Sequence, residues 1–73
     1  MTFAQLLLNA RPRRITQQEA ANAVGVSDSA ISTWERGLRV PGVDDFARLM
    51  DLYGVDDAGR VRLLAAAVGV SRG

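Results

Sequence analysis

The stretch VGVSDSAISTWERG, Val24 to Gly37, holds one tryptophan, three serines, a threonine and two acids. Most of its polar side chains are small and uncharged. Wound at about 100° per residue, it splits into two faces. Ala30, Ile31 and Trp34 fall on one side, with Ser27 and Glu35 beside them. Asp28, Ser29, Ser32, Thr33 and Arg36 fall on the other. The first face belongs to a core. The second is a strip of short hydrogen-bonding groups that ends at an arginine. Ser27 is a natural N-cap for this helix, and Gly37 stops it.

The residues just before it explain the strip. Thr16-Gln17-Gln18-Glu19 reads as a capping box, and Ala20, Ala21 and Val24 supply the apolar stripe of a preceding helix that ends at Gly25. Only Gly25, Val26 and Ser27 separate the two helices. A connection that short makes helices cross steeply. Close crossing needs small inner residues, which Ala20 and Ala21 are, and Val26 and Ile31 can fill the angle. In a helix-turn-helix of this kind the first helix crosses the DNA backbone and the second lies in the major groove.

The same periods run outward to both ends, and no alternating strand pattern appears. Thr2 and Gln5 fit a capping box ahead of Phe3, Leu6, Leu7 and Ala10, and Pro12 ends this first helix near Ala10 or Arg11. Arg13, Arg14 and Ile15 form a connector. After the loop Leu38 to Pro41, a fourth helix starts at Gly42 or Val43, with Asp44 and Asp45 in its first turn and a stripe of Phe46, Leu49, Met50 and Tyr53. Gly54 closes it. A fifth opens at Asp56 or Asp57, with Val61, Leu64, Ala65 and Val68 as its stripe, and its tail from Val70 to Gly73 is expected to fray. Gly59 weakens its first turn by up to about 1 kcal/mol relative to alanine. The expected architecture is all-α: one compact domain of five helices over residues 1–73, with the helix-turn-helix at about 16–36.

The segment TQQEAANAVGVSDSAISTWERGLRVPG resembles the helix-turn-helix of the lambda-repressor-like family, also called the Cro or xenobiotic-response-element type. The matching positions are Thr16, Gln17, Ala21, Gly25, Val26, Ser27, Ile31, Ser32, Trp34, Glu35, Gly37 and Pro41, and the five-helix pattern extends the likeness over nearly the whole chain. The resemblance implies that Gln17 holds a DNA phosphate, helped by backbone N–H groups at that helix start. It implies that Asp28, Ser29, Ser32 and Thr33 read base edges, and that Arg36 and Arg39 meet the DNA backbone. Ser27, Gln18, Arg13 and Arg14 join the candidate phosphate contacts. The chain departs from the family at Asp28, where arginine or glutamine is common, and at Ala20, where leucine is usual. The family also has an arginine late in the first helix that pairs with the glutamate of W-E-R-G. Here that position is Ala10, and Arg11 lies one residue on.

Each assignment has a plainer rival. Trp34 and Ile31 read as core, and Glu35 as structural, paired with an arginine. Asp28 either complements the dipole of its helix start or accepts from a cytosine amino group. The pairs Asp44, Asp45 and Asp56, Asp57 read as helix starts, with no metal expected.

Composition narrows the function classes. The 73 residues allow one domain, and a chain this short buries only about 60% of the surface it exposes unfolded. There is no cysteine and no histidine, which removes disulfides, thiolate metal sites and the commonest general base. No enzyme and no cofactor are expected. No apolar run approaches a membrane span, no signal peptide is apparent, and a soluble, cytoplasmic protein of bacterial or phage origin is expected. The net charge is +1, but all nine basic residues are arginine, and five of them precede residue 44 against three acids there. Arginine holds phosphate in a bidentate fashion that lysine does not.

Two functions fit. One is a sequence-specific regulator of transcription, a repressor, that binds double-stranded DNA as a homodimer through helix 5 and the tail, about 57–73, with no small-molecule effector. The other is a protein-interaction module on the same fold, such as an antitoxin or accessory subunit, which the low net charge and Asp28 favour.

Overall fold

A computed structural model describes the backbone of residues 1–72 and the side chains of residues 1–70. Among these residues the helices are α1 (Phe3–Ala10), α2 (Gln17–Val24), α3 (Asp28–Glu35), α4 (Val43–Tyr53) and α5 (Asp57–Arg72). The starts of α1, α2 and α3 are set by side-chain caps, whereas Gly42 opens α4 without one. Thr2 and Gln5 close one capping box, at 3.2 and 2.9 Å. Thr16 and Glu19 close another, with both bonds at 3.1 Å. Ser27 Oγ accepts the Ala30 N–H at 3.2 Å. Each such cap contributes about 1 kcal/mol by satisfying an N–H that the helix leaves unpaired.

α1 stops at Arg11, extended ahead of Pro12, and α2, α3 and α4 stop at glycines in the left-handed region, where a side chain is strained. Gly25 (φ +86°) closes α2, and the Val26 N–H turns back to the Ala21 carbonyl at 3.0 Å. Gly37 (φ +74°) ends α3 in the same way, with Leu38 N–H on the Thr33 carbonyl at 3.2 Å. Both hydrogen-bond patterns satisfy carbonyls at a helix C-terminus.

α1 packs on α3 and α5, and α2 packs on α3 and α4. α3 is therefore backed by two helices, and its remaining face is left to solvent. The core between them is built on Phe3, Leu7, Ile31, Leu49 and Met50, all under 2% exposed. Ala20 and Ala21, both fully buried, let α2 approach its neighbours closely. Val26 packs into the angle beside α3, as the short connection requires.

On α5 the expected apolar stripe of Val61, Leu64, Ala65 and Val68 faces outward, on the helix that the sequence offers as a dimer surface, with Val61 64% exposed and Leu64 and Val68 each 54% exposed. The buried residue is Leu63, with Ala66, Ala67 and Val70 packed beside it. The physical reason is that α5 is apolar on two faces, so periodicity alone does not choose between them. α1 accepts the face whose residues, apart from one leucine and one valine, are small. Val70 packs on the core, and the helix backbone continues through Arg72. Gly73 lies outside the described residues. The glycine in the first turn has a steric cause. A Cβ at Gly59 would lie 2.7 Å from Val55 Cγ1, while its N–H donates to Asp56 Oδ1 at 2.8 Å.

Candidate nucleic-acid interface

The outer face of α3 carries Asp28 and Ser29 exposed, and Ser32 and Thr33 half-buried along its flank. Arg36 follows as the exposed C-cap, and Arg39 is exposed in the loop beyond. Ile31, Trp34 and Glu35 are buried on the opposite face. The two faces fall as the helical period of the sequence divides them.

The hydroxyls on this face are not equivalent. Thr33 Oγ1 donates to the Ser29 carbonyl at 2.7 Å, so its proton stays within the helix and its lone pairs and methyl remain. The Ser29 side chain is exposed, with no hydrogen bond among the described residues. Ser27 uses a lone pair for its cap and keeps its proton for an outside acceptor. Asp28 sits in the first turn of α3, where the partial positive charge of the helix start suits it, and is exposed to any ligand as well.

Arginines divide into two groups. Arg11, Arg48 and Arg60 are paired with Glu35, Asp45 and Asp51 at 2.8, 4.0 and 2.9 Å. Arg13, Arg14, Arg36, Arg39 and, on α5, Arg62 are exposed and have no acidic partner among the described residues. The first four lie in the connector ahead of α2 and in the turn and loop after α3. Free guanidinium groups there can take phosphate oxygens in pairs. Gln18 is exposed beside Gln17 at the start of α2.

Behind α3 lies a polar cluster. Glu35 is 4% exposed, yet both its oxygens are satisfied. Arg11 Nε donates to Oε2 at 2.8 Å, and Gln17 Nε2 donates to Oε1 at 2.8 Å. Arg11 Nη1 also donates to the Ile15 carbonyl at 2.7 Å, which ties down the connector that carries Arg13 and Arg14. The expected pairing of Glu35 with an arginine holds, and Arg11 supplies it from the cap position just past α1. The link from Gln17 to Glu35 escaped the sequence reading. It spans 18 residues and two helices, and no local pattern marks it. Tyr53 also borders this cluster. Burial, reinforced by the Glu35 charge and opposed by Arg11, pushes its phenol up to about 12. Its buried hydroxyl finds no hydrogen-bond partner among the described residues.

Among the described residues there is no cluster of three or more potential metal ligands, and no helix is long and apolar enough to cross a membrane. A family model described as a helix-turn-helix domain matches residues 3–63. No curated protein and no solved structure matches the chain.

Proposed function

Since the chain belongs to the helix-turn-helix domain family, a DNA-binding type, we propose that it is a sequence-specific regulator of transcription that acts as a repressor. The observation that carries this reading is the two-sided α3: an apolar face under 8% exposed at Ile31 and Trp34, and an opposite face of short polar groups that ends in unpaired arginines. Asp28, Ser29, Ser32 and Thr33 read base edges in the major groove. Gln17, Gln18, Ser27, Arg13, Arg14, Arg36 and Arg39 hold phosphates and set the register. One such module meets few base pairs, so two copies bind together, joined through the outward face of α5. The protein works in the cytoplasm, on bacterial or phage DNA, with no cofactor or effector in the reaction.

A salt titration of duplex binding tests it. Every phosphate contact releases counterions, so affinity falls steeply as salt rises, and Arg36→Ala flattens the slope by up to about 1. Weak binding with no salt slope would instead favour the protein-interaction reading, for which the exposed apolar row on α5 is the natural surface.

A further inference from the structure

We propose that Glu35, although buried and pointing away from the groove, is a positioning residue for DNA binding. Its carboxylate fixes the Gln17 side-chain amide in the orientation that presents an N–H to a phosphate. The proposal rests on the DNA-binding reading above.

The chemistry of the two groups dictates the orientation. A carboxylate only accepts hydrogen bonds, whereas a primary amide has a donating end and an accepting end. The 2.8 Å contact from Gln17 Nε2 to Glu35 Oε1 therefore turns the NH₂ group toward Glu35 and turns the carbonyl away. One N–H is engaged and the second is left over. Gln17 is the first residue of α2, where backbone N–H groups and the helix dipole already favour an anion. An unheld glutamine there would sample several rotamers and both amide faces, and a phosphate would have to order it on binding. Glu35 removes that cost in advance. The charge of Glu35 does not cancel the benefit, because Arg11 Nε holds its other oxygen at 2.8 Å and the pair is sealed from solvent on the Glu35 side. Arg11 is itself braced on the Ile15 carbonyl, so the orientation is transmitted from a fixed frame.

The test is a double-mutant cycle on the full chain. It uses wild type, Gln17→Ala, Glu35→Gln and the double variant, with a mixed-sequence duplex as the probe because phosphate contacts are independent of sequence. Gln17→Ala is expected to weaken binding by about tenfold, the scale of one hydrogen bond to a charged group. Glu35→Gln keeps volume and can still accept from Arg11, but offers Gln17 an NH₂ group where a carboxylate stood. It is expected to weaken binding several-fold, and the double variant is expected to bind no worse than Gln17→Ala alone. Losses that multiply overturn the proposal, since a merely structural Glu35 acts independently of Gln17. Nitrogen relaxation of the Gln17 side-chain amide in the wild-type protein decides the matter even if Glu35→Gln does not fold. An amide as ordered as the helix backbone supports the proposal, and one that reorients freely overturns it. A wild-type chain that binds no duplex at any salt, with the amide ordered, overturns the DNA-binding reading underneath. Wild-type binding with multiplying losses overturns the role of Glu35 alone.

Discussion

At the scale of single residues, Tyr53 has a buried hydroxyl without a partner, and its ionisation is opposed by burial and by Glu35. The folded protein holds the phenolic proton more tightly than the unfolded chain, whose tyrosine titrates near 10. The stability this contributes is fully present below pH 10 and is lost as pH rises toward about 12. The expected outcome is an alkaline loss of stability of up to about 2–3 kcal/mol, followed by thermal melts between pH 9 and 12. Because Tyr53 is the one tyrosine, the phenolate absorbance titrates it alone. Tyr53→Phe removes an unsatisfied polar group of nearly the same shape, so it should be neutral or stabilising at pH 7 and flatten the alkaline limb. On the outer face of α3, the internal bond of Thr33 ranks the reading residues. Ser29→Ala should relax one base position by roughly 1–3 kcal/mol if its contact is a good one, whereas Thr33→Val keeps the methyl and should change discrimination less. Asp28→Asn removes a charge facing phosphates but nearly keeps the shape and an accepting oxygen, so it should strengthen non-specific binding while leaving the preferred sequence largely intact. A panel of single-base operator variants reads all three.

At the scale of elements, the glycine stops at Gly25 and Gly37 differ in what surrounds them. A Cβ at Gly25 would meet nothing within 4 Å, so Gly25→Ala should cost only the left-handed conformation, about 1–2 kcal/mol. At Gly37 the same atom would lie 3.2 Å from Ala4 Cβ, so Gly37→Ala should cost more and loosen α1 against the end of α3. Denaturant melts of the pair check the order. Adjacent leucines on α5 make a sharper contrast. Leu63→Ala should cost about 2–5 kcal/mol, and Leu64→Ala under about 1. These elements also mark how far the sequence could be read. Capping boxes, glycine stops and the stripes of α1 to α4 are local, and each stands where its spacing put it. On α5 the surplus of apolar residues over a small core was legible, but the residue that anchors the helix was not, because Val61, Leu64 and Val68 make as good a stripe as Leu63, Ala66 and Val70, and only the partner surface on α1 decides. At the site, the exposed reading strip was legible from one helix wheel. The engaged Thr33 proton and the Gln17–Glu35 bond were not: the first depends on a rotamer, the second on the meeting of two helices.

At the scale of the whole molecule, the outward row of α5 is an apolar surface that the small core does not use. If it joins two copies, Leu64→Glu should leave the melting of the monomer almost unchanged and abolish dimer formation. Sedimentation on a duplex with two half-sites about 34–36 Å apart measures this. A tight core behind α3 has one more consequence, and it is optical. Trp34 is the one tryptophan of the chain, stands on the inner face of the very helix assigned to the groove, and is 7% exposed. Its emission is therefore a background-free gauge of the apolar interior directly beneath the reading surface. Unfolding must shift that emission to the red as the indole meets water. Docking of a duplex on the opposite face of α3 should leave it still, so any quenching on DNA would mean that recognition reaches through the helix and rearranges what lies behind it.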